Sequence, residues 1–155
     1  MNAAPARTAE SLATLDNLQR NFVNGIFRVI AHNPPYLQQV RRQRDREYYA
    51  AEFATIRLSL PRRMGNTMIA RTLFQWDENT ILIVQSSEMK RRFLERLPSS
   101  ERTAASSRIF SIRSQDSARS RRASLLIADL VPFSYNNAAM ERIYSYWADF
   151  YVLLG

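Results

Sequence analysis

Ser124-Leu125-Leu126-Ile127-Ala128-Asp129 is a short apolar run that ends in an acidic residue, and it decides how the rest of the sequence is interpreted. Runs of this kind, rich in apolar and β-branched residues, are typical of strands buried on both faces. Similar runs lie outward from it at residues 55–60, 80–85, 108–113 and 150–154. Helix-like or loop segments separate most of the runs. We therefore predict an α/β fold with a largely parallel five-stranded sheet and helices on both faces.

Helical periodicity surrounds the predicted strands. Residues 8–31 carry seven apolar side chains at helical spacing, and the segment His32-Asn33-Pro34-Pro35 ends that amphipathic helix. Further helices are predicted at residues 36–53, 67–75, 88–97 and 136–147, whereas the Ser-, Arg- and Ala-rich stretch 98–122 predicts a mobile loop around the third strand. The chain thus divides into an N-terminal helical extension, residues 1–34, and an α/β domain, residues 35–155.

The composition limits the classes of function. The chain has no cysteine and a single histidine, His32, which argues against structural zinc, thiol catalysis and a His-based triad. No apolar run approaches the ~20 residues of a membrane span, and the N-terminus lacks an apolar segment of signal-peptide length. We expect a cytoplasmic protein that uses no metal and no cofactor.

The formal charge of +8 is unevenly distributed along the chain. Residues 1–122 carry 21 basic and 11 acidic side chains, whereas residues 123–155 carry one and three. All basic residues except Lys90 are arginine, which binds phosphate with a planar fork and stacks on bases. The charge favours a polyanionic partner. A bias toward GC-rich codons would produce the same excess of arginine, and both explanations stay open.

The segment Leu60-Pro61-Arg62-Arg63-Met64-Gly65-Asn66-Thr67 lies between the first predicted strand and a predicted helix. P-loop proteins place their phosphate-cradling turn at this position. The segment resembles that loop in the ATPase half of phage terminase large subunits, which often lacks the first glycine and carries an arginine before Gly-Lys-Thr.

Four further features follow the order that this family shows. Gln43-Arg44-Asp45 resembles the adenine-reading glutamine segment, and residues 81–87 resemble motif Ia. Residues 124–129 resemble a Walker B strand, with Arg119 upstream near where terminases carry an arginine, and residues 150–154 match the strand that follows. The resemblance covers about residues 40–155. It implies a RecA-like, three-layer P-loop fold with the family strand order 5-1-4-3-2.

Two departures from the family pattern indicate that catalysis is lost. Asn66 occupies the position of the lysine that neutralises the β and γ phosphates, and Leu130 follows the Walker B acid where a second carboxylate commonly activates water. Thr67, Asp129 and Gln43 would form a residual nucleotide site. Alternatively, Arg62 or Arg63 replaces the missing charge and the chain is a small ATPase related to packaging or helicase motors.

Each of these motifs also has an ordinary explanation when it is taken alone. The glycine segment is then a common strand-to-helix turn, Asp129 an acid at a strand end and Gln43 a solvated helix residue. The shared order of the motifs favours the P-loop interpretation.

A glycine turn at a helix N-terminus still offers backbone N–H groups to an anion. We predict that the turn and the loop before the Walker B-like strand share the carboxyl edge of the sheet, where ligands of such sheets bind. Aromatic side chains would stack on the bases of a single strand. The predicted phosphate-binding residues are Arg41, Arg42, Arg44, Arg62, Arg63, Gly65, Asn66, Thr67, Arg71, Arg113, Arg119, Arg121 and Arg122. The candidate stacking residues are Tyr48, Tyr49, Trp76 and Tyr135, whereas Trp147, Phe150 and Tyr151 are assigned to the core.

The leading hypothesis is a phage-type accessory protein that binds nucleic acid, preferentially single-stranded DNA, without nucleotide turnover, as a transcription or replication cofactor in the host cytoplasm. In charge and size it is also similar to the single-stranded-DNA-binding RNA polymerase cofactors of certain podoviruses, which would imply an RNA polymerase partner. A third hypothesis is a structural or regulatory subunit that uses the N-terminal helix to oligomerise or to dock a partner, and we expect a homo-oligomer.

Overall fold

The structure is a computed structural model that describes residues 12–32, 46–61, 65–113 and 122–155. Arg46, Glu47 and Tyr49 are described by their backbone alone. The elements follow in the order α1 (Asn17–His32), α2 (Arg46–Phe53), β1 (Thr55–Leu58), α3 (Asn66–Phe74), β2 (Thr80–Val84), α4 (Ser87–Glu95), α5 (Ser99–Ser106), β3 (Ile109–Ser111), β4 (Arg122–Asp129), a 3-10 turn (Pro132–Ser134), α6 (Asn137–Ser145) and β5 (Trp147–Leu154).

The five strands form one parallel sheet in the order β1-β5-β4-β2-β3. This confirms the predicted α/β class and is consistent with a three-layer RecA-like arrangement. The expected strand order 5-1-4-3-2 places the fifth strand at an edge of the sheet. This expectation is wrong, because β5 lies between β1 and β4. β5 has eight residues and a fully buried end, as a central strand requires, whereas β1 has four residues and exposes Arg57, as suits an edge.

Two hydrophobic cores cover the two faces of the sheet. Alternate residues of β2 point to opposite faces: Leu82 belongs to the core under α1, α3 and α4, and Ile83 to the core under α2 and α6. Helix α1 is part of the first core, since Val23 and Ile26 are buried there. Burying each such side chain contributes about 1.5–3 kcal/mol. The predicted boundary after residue 34 lies outside the described residues.

The expected mobile loop over residues 98–122 is wrong in its first half, where α5 forms. The helix follows Pro98 and has Glu101 in its first turn, which suits the positive end of the helix dipole. Ala105 is buried in the first core, and the Arg102 side chain donates hydrogen bonds to the carbonyls of Leu97 and Glu95, which tie α5 to the end of α4. Serine and alanine gave too weak an apolar periodicity to predict this helix.

The C-terminal helix is shorter than predicted and the last strand is longer. Helix α6 ends at Ser145 and β5 begins at Trp147, which pairs with Arg122 at the start of β4. The assignment of Trp147 to the core is therefore wrong, since its side chain is 45% exposed. Tyr151 is a core residue as predicted, and Phe150 is half-buried.

Replacing Tyr151 by phenylalanine should lower the free energy of unfolding by about 1–3 kcal/mol. The buried Tyr151 hydroxyl donates to the carbonyl of Tyr146 at 2.6 Å and accepts from the N–H of Ala148 at 3.2 Å, so its removal leaves buried backbone groups unsatisfied. Urea denaturation measures the change. Tyr48→Phe removes the same atom from a side chain that is 44% exposed and should change stability by much less. Equal losses in both variants would contradict the prediction.

Candidate anion-binding edge of the sheet

The carboxyl ends of all five strands lie in one row across the sheet. The register pairs Leu58 with Leu154, Leu154 with Asp129, Asp129 with Val84, and Val84 with Ser111. The residues that follow these strands therefore emerge at a single edge, which we call the carboxyl edge. In open α/β sheets this edge is where ligands bind.

Gly65 forms the turn that starts helix α3 at this edge. Its φ of 83° lies in the left-handed region, which glycine adopts without steric cost. The first hydrogen bond of the helix runs from the N–H of Ile69 to the carbonyl of Gly65, and the N-cap residue Gly65 has no side chain with which to cap the helix. The N–H groups of the first turn thus lack intrahelical partners and can donate hydrogen bonds to an anion.

Helix α1 packs its first turn against the glycine turn. A Cβ atom built on Gly65 would lie 2.0 Å from Gln19 Nε2, so the glutamine side chain occupies the space beside the turn. A reciprocal capping box holds Gln19 in place: its N–H donates to Asp16 Oδ1, and the N–H of Asp16 donates to Gln19 Oε1. The sequence contains this capping pair, but nothing in the sequence indicated that it would contact Gly65.

Thr67 and Asp129 meet at this edge even though β1 and β4 are not neighbours. Thr67 Oγ1 lies 3.5 Å from Asp129 Oδ2, which is a long contact for a hydrogen bond. Asp129 is buried, and burial raises the pKa of its carboxyl from 3.8 to about 6, partly offset by the Thr67 contact. The pair predicted from the P-loop resemblance is therefore brought together, but the carboxyl is less acidic than a solvated one.

The two positions that depart from the P-loop pattern have distinct environments. The side-chain oxygen of Asn66 is buried and has no hydrogen-bond partner among the described residues. Leu130 is buried in the core on the α2 and α6 side, whereas Asp129 faces Thr67 of α3. A carboxylate at position 130 would have to share that apolar core. Position 130 thus offers no proton acceptor beside Asp129 on the α3 side.

The predicted arginines do not all share the carboxyl edge. Arg113 follows β3 at this edge and is exposed. Arg122 begins β4, at the opposite edge, and pairs with Asp149 at 2.9 Å, so its predicted place beside the glycine turn is wrong. The reason is that the connection between parallel strands leaves one edge and returns at the other.

Arg71 lies one helical turn after Thr67 and is half-buried, with no partner for its buried Nε among the described residues.

Several predicted site residues lie outside the described residues. They are Arg41, Arg42, Gln43, Arg44, Arg62, Arg63, Arg119 and Arg121, together with the side chain of Tyr49.

The described aromatic candidates have structural partners. Trp76 packs against Phe27 with ring centroids 5.6 Å apart, and Tyr48 contacts Phe53 at 6.2 Å. The Tyr135 hydroxyl shares its single hydrogen between the carbonyl oxygens of Ala128 and Leu154, and burial raises the pKa of that hydroxyl. Of these residues only Tyr48 exposes much of its ring.

Phe133 was not among the predicted site residues, although at 82% it is the most exposed large hydrophobic residue in the described part of the chain. It lies in the 3-10 turn that follows β4, at the carboxyl edge. In the sequence, Pro132 and Ser134 indicate a turn after the Walker B-like strand. An aromatic residue within such a turn was the feature that could have predicted an exposed ring.

The basic run Lys90-Arg91-Arg92 is engaged within the protein. Arg91 and Arg92 pair with Glu88 on the exposed surface of α4, and these contacts lower the pKa of Glu88 to about 2. Arg91 also pairs with Glu95. Lys90 Nζ donates to the carbonyl of Ser106 at the end of α5. This run is a salt-bridged helix surface.

No protein-family model matches the chain, and neither a curated protein nor a solved structure matches it. Within the described ranges, none of the helices has the length and apolar character needed to span a membrane.

Replacing Gly65 by alanine should destabilise the protein by at least about 1 kcal/mol, because an L side chain is strained at this φ and its Cβ would displace Gln19. Gly25→Ala is the matched control. Gly25 lies inside α1, and a Cβ atom added there would meet no other atom within 4 Å, so the change should stabilise the protein by up to about 1 kcal/mol. Urea denaturation compares the two. Equal effects in both variants would contradict the positive φ at Gly65.

Asp129 should make stability depend on pH. Its folded-state pKa of about 6 exceeds the ordinary value of 3.8, so the folded state binds the proton more tightly than the unfolded state. The free energy of unfolding should then fall by about 3 kcal/mol as the pH rises from about 4 to about 6, and level off above that. Asp129→Asn removes this contribution. The difference between the wild-type and variant unfolding free energies across this range measures it, and a constant difference would show that the carboxyl is well solvated.

Proposed function

We propose that the protein is an accessory protein that binds single-stranded nucleic acid through the carboxyl edge of its sheet and does not hydrolyse nucleotides. The observation that carries the proposal is the uncapped N-terminus of α3 at Gly65, which closely follows Arg62 and Arg63 in the sequence. Backbone N–H groups and adjacent arginines together favour a phosphate. The proposal uses the glycine turn as an anion site and does not depend on descent from P-loop enzymes.

The distribution of charge supports a polyanionic partner. The described residues hold 14 basic and 11 acidic side chains, a net charge of +3 out of +8. The remaining +5 belongs to the short segments 33–45, 62–64 and 114–121. Most described arginines of α4 and α5 already bind carboxylates or carbonyls. The charge available for a ligand is therefore concentrated in sequence around the glycine turn and in the two other basic segments.

The residues at the two altered positions argue against turnover. Hydrolysis at a P-loop requires a cation on the phosphates and a group that orients water. Asn66 carries no charge, and Leu130 is apolar and buried in the opposite core. Both required groups are therefore absent from these positions.

The alternative function is a small ATPase, and the contact between Thr67 and Asp129 favours it, because a hydroxyl and a carboxylate hold magnesium in such enzymes. A steady-state phosphate-release assay with and without single-stranded DNA separates the two functions. We expect no release above the buffer rate. DNA-stimulated release that Asp129→Ala abolishes would establish the ATPase instead.

Removing Arg62 and Arg63 should weaken the salt dependence of binding. If both arginines contact phosphates, changing both to alanine should reduce the slope of log affinity against log salt by about 1.4 for a single strand. The measurement is a fluorescence-anisotropy titration with a labelled oligo(dT) strand over a salt series. The matched control is Arg91→Ala with Arg92→Ala, which removes the same formal charge from a salt-bridged pair on α4. Equal slopes in the two double variants would place the site elsewhere.

A further inference from the structure

A small cavity opens at the carboxyl edge, on the side of the sheet covered by α6. Its volume is about 230 Å³, and it lies between the ends of β1 and β5 and the turn after β4. The cavity is smaller than the ~300–1,000 Å³ pockets that hold drug-sized ligands, so it suits a single small ring system. Its lining includes Arg57, Ser59, Pro132, Tyr135, Met140 and Leu153.

The lining combines an apolar floor with polar groups at the rim. Leu153 is buried and Met140 half-buried, whereas Arg57 and Ser59 are exposed. The Arg57 side chain makes no hydrogen bond or ion pair with any described residue. A guanidinium stacks on planar rings and also binds phosphate, and a serine hydroxyl both donates and accepts. This combination matches the chemistry of a nucleobase joined to a phosphate backbone.

Phe133 belongs to the hydrogen-bonded turn that borders this cavity. Its neighbour Pro132 lines the cavity, and the 3-10 turn is closed by a hydrogen bond from the N–H of Ser134 to the carbonyl of Val131. The Tyr135 hydroxyl ties the far end of the turn to the ends of β4 and β5. A ring that is 82% exposed on so constrained a turn contributes little to the core. Its exposed ring is accessible to a ligand.

We propose that Phe133 and the adjacent cavity form a site for unpaired bases of a single strand, with one base stacked on Phe133 and its neighbour in the cavity beneath Arg57. This inference rests on the proposed nucleic-acid binding and adds the feature that selects single strands over duplex. Paired bases cannot stack on a protein ring without leaving their duplex, whereas the phosphate contacts at the glycine turn serve both forms.

The test compares single- and double-stranded binding of the full chain. Phe133→Ala should weaken oligo(dT) binding by about 5- to 150-fold and leave the affinity for a duplex of the same length unchanged, because stacking is lost and phosphate contacts remain. Phe133→Trp should keep the single-strand affinity. Trp147→Ala is the control, since Trp147 is a 45% exposed aromatic residue at the opposite edge and its loss should leave both affinities unchanged.

Ultraviolet cross-linking of oligo(dT) to the wild-type protein, followed by peptide mapping, gives an independent reading. We expect cross-links at Phe133 or at the cavity residues. Two results would overturn the inference while the Arg62 and Arg63 variant still changes the salt slope. One is that Phe133→Ala binds single strands as tightly as the wild type. The other is that Phe133→Ala lowers the affinities for single strands and duplex equally. If the wild-type protein binds neither form at low salt, the proposed function itself fails.

Discussion

The pairing of β5 with both β1 and β4 is the constraint on which the rest of the structure depends. It places an apolar strand in the middle of the sheet, with Tyr151 and Val152 buried on opposite faces. The same pairing aligns Leu58, Leu154 and Asp129 in one row, so the ends of three strands define the carboxyl edge. Without β5 in this position, the glycine turn and Asp129 would belong to unconnected parts of the sheet.

The carboxyl edge has two sides with different chemistry. On the α3 side, the glycine turn offers uncapped N–H groups, and Asp129 is buried beside Thr67. On the α6 side, an apolar cavity lies next to the exposed ring of Phe133. A ligand that crosses the edge would meet hydrogen-bond donors on one side and an exposed aromatic ring on the other. A single strand of nucleic acid carries both kinds of group along its length.

Two side chains near the carboxyl edge favour packing over charge and open space. Leu130 extends the apolar core under α6, and Gln19 fills the space beside Gly65. The proposed binding function is compatible with both, because backbone N–H groups at the turn can contact a phosphate without a charged residue at position 130 or an open nucleotide pocket beside Gly65.

The sequence alone determined the five strands, the helix after Gly65 and the α/β class, because apolar periodicity and glycine preference are local properties that each segment carries by itself. Strand order was decided by tertiary structure, since the apolar runs that form β1 and β5 differ little in pattern, and which run lies inside the sheet depends on burial across the whole sheet. Tertiary structure also decides that Arg122 lies at the far edge and that Tyr135 is half-buried while Phe133 is exposed. A side chain's surroundings depend on residues distant in sequence, and only the folded chain brings those residues together.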